Sequence, residues 1–391
     1  MARSPLFGRR IHIAGSIPSK EEEEKYASAE EVGHARQLVE VLVKELLRKG
    51  ATFVIPVDAE KSRKSDSLPI CFDWLVWDTI QKNLASRPTG APNPLIIAVK
   101  HHKNEEQIPE QYQHLWDTLR GSDLVQIESA AHWNMNSKRM EVQARCGDIL
   151  IAVGGGEGVL FLANLYHDAG KPVIPLNLKL CPPNTGAQRI FEYGLSSSHA
   201  RRLFQTESDI SPHTWINRID FPNRKDATER VRDMIALLED ISPPKAFVIR
   251  LLNPALPDYS DVQNFFDTVV LPVVEDELGY KLTVIDGNQA YDYARIDEEI
   301  FAKLHRSSVV IADITGCRPN CFLELGYALG RGLPTMLLAK DGTDHPFDIN
   351  SFSGHHWKTT GTAEDRRREF RKHWEAIKNR PPLVPTEPLI P

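Results

Sequence analysis

Two carboxylates, Asp313 and Glu324, stand out by their type and spacing within the run from Ser308 to Leu329. The apolar stretch Val309 to Ala312 reads as a buried strand that ends in Asp313. A polar turn with Gly316 and Pro319 follows, and a helix starting near Asn320 carries Glu324 in its first or second turn. This order predicts that both acids lie at the carboxyl edge of a parallel sheet, where open α/β sheets bind their ligands. Glu324 is flanked by Phe322, Leu323 and Leu325, and an ionised carboxylate is seldom buried without a partner or a task. Such a pair suits cleavage of a glycosidic bond. One group stabilises or traps an oxocarbenium-like centre, and the other protonates or orients the leaving base. Taken singly, each acid has a plainer reading: Glu324 as a surface partner of Arg318 or Arg331, and Asp313 as a turn residue bonding backbone amides. Their joint order and spacing favour chemistry.

The elements around them alternate between strand and helix patterns. After the Pro243-Pro244 break, Ala246 to Leu251 reads as a strand with Arg250 near its end, a residue suited to holding a phosphate. Val262 to Leu278 reads as a helix, Tyr280 to Ile285 as a strand leading to Asp286-Gly287, Ile296 to Arg306 as a helix and Pro334 to Ala339 as a strand. Tyr291, Tyr293 and Asp297 fall just before or at the start of the helix leading to the acidic strand, in position to line a sugar pocket. Asn320 either touches substrate or caps its helix, and the cap is the favoured reading.

The first half repeats the alternation. Strands are expected at Arg10 to Ala14, Ala51 to Val57, Pro94 to Val99, Leu124 to Ile127, Asp148 to Val153 and Pro172 to Leu176. Glu30 to Arg48 is an amphipathic helix stopped by Gly50, and Met140 to Cys146 and Val159 to Ala169 are further helices. Gly154, Gly155, Gly156, Glu157 and Gly158 sit between a strand and a helix. There, glycines let backbone amides approach a phosphate and the helix terminus adds partial positive charge. Glu21 to Glu24 reads as a solvated loop, and His101-His102 and His355-His356 as surface or loop histidines, since adjacent side chains on a strand point to opposite faces.

Composition narrows the class. The chain has 391 residues, 41% hydrophobic and 26% charged, which suits an ordinary globular protein of more than one domain. A net charge of −6 gives no basic field for nucleic acid. Five scattered cysteines argue against a disulfide framework, and the spacing of Cys317 and Cys321 lacks the further ligands of a zinc site. The start lacks the apolar core of a signal peptide, and no uncharged apolar run reaches the roughly 18 residues of a membrane span. A cytoplasmic location without membrane association is the expectation.

Residues 8–235 resemble the SLOG superfamily, a Rossmann-like group that includes Lonely-guy phosphoribohydrolases, DprA-type proteins and sensor domains of Thoeris-type defence effectors. The resemblance rests on Ile11 to Ser16, Asn136 to Met140, Cys146 to Gly158 and Lys171 to Leu176. Lonely-guy enzymes carry a Thr and a pair of glutamates directly after the glycine loop. Here Val159, Leu160, Phe161 and Leu162 stand there. The resemblance therefore implies a nucleotide-binding or sensing domain rather than an enzyme, with Ser16, Arg139, Gly154 to Gly158, Thr185 and Gly186 facing the ligand. The plainer role for Arg139 is an ion pair with a nearby carboxylate.

Residues 245–357 resemble the nucleoside 2-deoxyribosyltransferase-like superfamily, carried by Lys245 to Ile249, Val284 to Gly287, Ile300 to Ser308, Ile311 to Gly316 and Asn320 to Ala328. Pro346 to Ile349 is similar to a weaker downstream element of such proteins. The resemblance implies a flavodoxin-like fold, with Glu324 attacking the anomeric carbon and Asp313 acting near the base or sugar. Arg250, Asp286, Tyr291, Tyr293, Asp297 and Asn320 are the implied substrate-binding set. Arg250 to Asn253 replaces the early tyrosine typical of the transferases, and residues the family takes from a neighbouring subunit have no match. Toll/interleukin-receptor-type NAD hydrolases place a glutamate on the equivalent helix, so NAD joins nucleosides and nucleotides as a substrate class.

The expectation from sequence is thus α/β, with two Rossmann-like or flavodoxin-like domains containing parallel sheets. Residues 1–240 form a sensor domain, 245–380 a catalytic domain and 381–391 a proline-rich tail. The expected activity is N-glycosidic hydrolysis regulated by nucleotide binding in a defence-type system, without a required cofactor or metal. The expected partners are a nucleotide ligand, a substrate and further copies of the chain in a homo-oligomer. The alternatives are a non-catalytic nucleotide sensor and a deoxyribosyltransferase of salvage metabolism.

Overall fold

The computed structural model describes residues 4–101, 105–130, 135–220, 225–285, 295–344, 346, 349 and 352–378. The chain falls into two compact units, Met1–Ser242 and Pro243–Glu387. The fold is α/β, with a parallel sheet in each unit.

The first sheet has six strands: β1 (Arg10–Ser16), β2 (Thr52–Val57), β3 (Ile96–Lys100), β4 (Val125–Ser129), β5 (Ile149–Gly154) and β6 (Val173–Leu176). Their spatial order is β4-β3-β2-β1-β5-β6, and every pairing is parallel. The chain lays β1 to β4 toward one edge, then returns to the other side of β1 with β5. That reversal leaves a crevice at the carboxyl ends of β1 and β5. Both β2 and β5 are buried along their whole length, as parallel strands covered on two faces must be. The helix Ala29–Arg48 supplies part of that cover. It buries Val32, Ala35, Leu38, Val39, Leu42, Val43, Leu46 and Leu47 on one face, the valines and leucines worth roughly 1.5–3 kcal/mol each. Ser28 starts this helix with a capping box: its hydroxyl accepts from the Glu31 amide, and its own amide donates to the Glu31 carboxylate, both at 3.3 Å.

The second sheet has five strands: β7 (Lys245–Ile249), β8 (Lys281–Thr283), β9 (Val309–Asp313), β10 (Thr335–Lys340) and β11 (His355–Trp357), in the order β11-β10-β9-β7-β8. All of its pairings are parallel. Here the winding reverses between β7 and β9, which places the second crevice beside the ends of those two strands.

Several local expectations need correction. Glu21–Tyr26 is a short 3-10 helix rather than a loop. His101 is only 2% exposed, because β3 is an interior strand and the structure closes over its end. His355 lies in β11, half-buried, and packs against His373 at 5.6 Å. That strand is too short to carry a readable alternation, and it exists because β10 offers it an edge. The helix before β5 starts earlier than expected, at Met135. The helix from Tyr259 widens into π-type turns on both sides of Pro272, whose missing amide proton breaks the regular ladder. The C-terminal helix Ala363–Lys378 buries Phe370, Trp374 and Ile377.

Candidate active site

In the second unit, β7 and β9 run side by side with Ile249 opposite Ala312. Their next residues are Arg250 and Asp313, so both stand at the reversal point. The helix Pro319–Gly330 follows β9 after the turn at Gly316. Pro319 occupies its first position, where a missing amide proton costs nothing. Cys321, Leu325 and Ala328 turn inward, which leaves Glu324 on the flank facing the strand ends. A cavity of about 340 Å³ opens there, lined among others by Arg250, Asn253, Arg318, Asn320, Cys321 and Glu324. This falls within the range of small-ligand pockets.

Glu324 is half-buried and has no hydrogen bond or ion pair with any described residue. Burial alone pushes its carboxyl from 4.5 up to about 7. The neighbouring Cys321 thiol is pushed up to about 11 by burial first and by the Glu324 charge second, so it keeps its proton at neutral pH.

Asp313 is different. It is fully buried. One carboxylate oxygen accepts the Thr315 amide at 3.0 Å, and the other accepts the Trp357 indole N–H at 2.7 Å. Burial pushes its carboxyl up to about 6 against those bonds and the Arg250 charge. Asp313 is not among the residues lining the cavity. It ties the turn after β9 to strand β11, and the Thr315 hydroxyl extends the brace by accepting the Lys340 amide at 2.9 Å.

The structure thus gathers Arg250, Asn320 and Glu324 around one cavity. Asn320 does not cap its helix: the cap position is Arg318, which makes no side-chain capping bond, and Asn320 lies inside the helix. Asp297 does not reach the cavity lining. It pairs with Arg295 at 3.0 Å, and that bond holds its carboxyl below the usual range. Asp286, Tyr291 and Tyr293 lie outside the described residues. Arg318 and Asn253 were missed by the sequence reading; Arg318 was considered only as a partner for Glu324.

In the first unit, the glycine loop closes onto β1. Ser16 pairs with Gly154, and the Gly155 amide donates to the Ser16 carbonyl at 2.7 Å. Gly154 and Gly155 have φ of 61° and 76°, the left-handed region that favours glycine. Gly186 packs directly on them, since a Cβ there would meet the Gly155 and Gly154 carbonyl oxygens at 2.1 and 2.3 Å. Thr185 precedes it, and its hydroxyl donates to the Pro182 carbonyl at 2.7 Å. The helix Glu157–Asp168 begins at the loop with Glu157 and Gly158 exposed, and Gly156 faces open space. The first helical bonds are made by the Val159 and Leu160 amides to the Gly156 carbonyl at 3.1 and 3.3 Å, which leaves the Glu157 and Gly158 amides ahead of the ladder.

Arg139 comes to the same edge and ion-pairs with Asp58, which follows β2. The segment before the helix Asp73–Asn83 lies against β1, with Cys71 bridged to Ser16 and the Ile17 amide bonded to the Ile70 carbonyl at 2.9 Å. Asp73, the first residue of that helix, therefore joins the group. Burial pushes its carboxyl up to about 7; Arg139 opposes this, and Asp58 and Glu60 reinforce it. Asp58 and Asp73 escaped the sequence reading, which looked for acids only directly after the loop. The available signal for Asp58 was its place just beyond an apolar strand.

No curated protein matches the chain. Among solved structures, the crystal structure of a conserved protein from Enterococcus faecalis V583 is similar over 33% of this chain and 98% of its own, at 17% identity and a TM-score of 0.22. The family described as "ATP nucleosidase Cap17-like, N-terminal" matches residues 6–238, more than half of the chain, and the chain belongs to that family.

Proposed function

We propose that the chain hydrolyses the N-glycosidic bond of a nucleotide in the cavity of the second unit. The observation that supports this best is Glu324: a half-buried carboxylate without a partner among the described residues, at the sheet reversal, in a cavity shared with Arg250 and Arg318. In its ionised form Glu324 stabilises or attacks C1′ as the C–N bond breaks and its electron pair leaves on the base nitrogen. Water then adds its hydroxyl to C1′, and its proton restores the neutral base. The two arginines hold the phosphate. Asn320, one helical turn before Glu324, orients the sugar. Asp313 acts as a positioning residue through Trp357 and Thr315.

The family's description as an ATP nucleosidase supports a nucleotide substrate. NAD is a second substrate class for the same carboxylate. The first unit binds a nucleotide at Ser16, Arg139, the glycine loop, Thr185 and Gly186, and regulates cleavage in a defence-type role. A homo-oligomer and a cytoplasmic location belong to the same proposal. Among the described residues, no helix is long and apolar enough to cross a membrane.

Base release is measured by chromatography over nucleosides, nucleotides and NAD, with wild type and Glu324→Gln. Release by wild type that is lost in the variant supports the proposal. Undiminished release in Glu324→Gln refutes it and moves the chemistry to the first unit, where the family match falls.

A further inference from the structure

We infer that Phe266 is a positioning residue of the second unit's site: its ring fixes the Arg250 guanidinium for the substrate's phosphate, and so sets a preference for nucleotides over nucleosides. The inference rests on the proposal that this cavity cleaves a nucleotide, and adds the residue that makes phosphate recognition effective.

Three observations meet here. The first is contact. The Arg250 guanidinium carbon lies over the Phe266 ring, 5.0 Å from its centroid, within the range of a cation–π contact. Arg250 lines the cavity, whereas Phe266 is buried behind it and does not. Such a contact engages the flat face of a guanidinium and leaves its N–H edge to meet two phosphate oxygens.

The second is what holds the ring. Phe265 and Phe266 are consecutive, about 100° apart around a helix, and both are buried. Their rings stand at 87° with centroids 6.1 Å apart. Phe265 stacks on Trp357 at 4.5 Å and 7°, and the Trp357 indole donates to Asp313 at 2.7 Å. The ends of β7 and β9 are thus tied through a row of packed rings as well as across the sheet.

The third is the local backbone. The helix turns to π geometry at Phe266, where the Leu271 amide bonds the Phe266 carbonyl. Pro272 has no amide proton for the Thr268 carbonyl one turn earlier. Arg367 Nε, from the C-terminal helix, donates to that carbonyl at 2.8 Å instead. Wide turns of this kind are rare and recur at functional sites. Here the turn starts at the residue beneath Arg250.

The chemistry follows from preorganisation. A free arginine side chain samples many rotamers, and ordering it opposes binding. A guanidinium held on a ring is ordered before the substrate arrives. A neutral nucleoside gains little from this, so the ring bears chiefly on phosphorylated substrates.

The test measures steady-state base release by the full chain from the common ribonucleoside mono- and triphosphates and from NAD, each paired with its phosphate-free counterpart. Phe266→Leu removes the ring face. Phe266→trifluorophenylalanine keeps the ring and its volume but withdraws the charge density that attracts a cation. Both variants are expected to raise KM for the cleaved nucleotide roughly five- to thirtyfold, the range of one desolvated cation–π contact. The effect on kcat and on the phosphate-free counterpart is much smaller. The fluorinated variant shows this split even where Phe266→Leu fails to fold. An unchanged KM in the fluorinated variant, an equal rise for nucleotide and nucleoside, or a wild type that cleaves both equally well overturns the inference alone. No base release by wild type, or undiminished release in Glu324→Gln, overturns the proposed reaction, and the inference falls with it.

Discussion

Replacing Glu324 by Gln should abolish base release and at the same time stabilise the protein above pH 7. The carboxyl is displaced from 4.5 to about 7 by burial, with no compensating cation or donor among the described residues. Each tenfold displacement of a proton equilibrium is about 1.4 kcal/mol. Keeping Glu324 ionised at pH 8 therefore costs roughly 3 kcal/mol as an upper figure, and about 1–2 kcal/mol once solvent at its open side is counted. The sign follows from linkage. Between pH 4.5 and about 7 the folded state holds this proton and the unfolded state has lost it, so stability falls as pH rises through that window. Gln has no proton to lose. Scanning calorimetry of both proteins from pH 4.5 to 8.5 should show curves that coincide at the acid end and separate toward pH 8. The variant should then melt about 3–6 °C higher. Its base release should drop on the order of a thousandfold, as expected for a lost nucleophile. If wild type is as stable as the variant at pH 8, Glu324 has a stabilising partner and the argument for a poised, unpaired carboxylate fails.

The rate of base release should rise with pH through about 7 and then level, because the nucleophile must be ionised; a fall across the same range, read from a kcat/KM profile, would assign Glu324 to general acid catalysis instead. Trp357→Phe removes the indole donor from buried Asp313 and should cost about 1–3 kcal/mol at pH 7.5 and less at pH 5, where the carboxyl is protonated; chemical denaturation at the two pH values checks this. Gly186→Val forces a side chain into the Gly154 and Gly155 carbonyls at a φ of 50°, and should remove nucleotide protection of 154–168 in hydrogen exchange while leaving second-unit folding intact. Leu42→Ala empties a fully buried site and should lower first-unit stability by about 2–5 kcal/mol in urea unfolding.

Much of the scaffold was readable along the chain. The long apolar strands, the helix Ala29–Arg48 and the glycine turn follow from local periodicity and from residues that only certain backbone angles admit. Strand β11 was not readable, since it is short and carries two histidines. It forms because β10 offers an edge, and Trp357 then reaches Asp313 across 44 residues of sequence. The role of Asn320 was misjudged because capping preference is a local rule, whereas Pro319 takes the first helical position and moves the start of the helix.

By itself the sequence determined the α/β alternation, the glycine loop and the position of Glu324 on the helix after an acidic strand, because each depends on neighbours a few residues away. Only the tertiary structure decided which acids are free to act. Asp313 lost its oxygens to Thr315 and Trp357. Asp58 and Asp73 came to the glycine-loop edge from segments distant in sequence, Asp58 meeting an Arg139 that lies 81 residues away. Proton affinity and hydrogen-bond partners are set by what packs around a carboxyl, and packing joins segments that the chain order keeps apart.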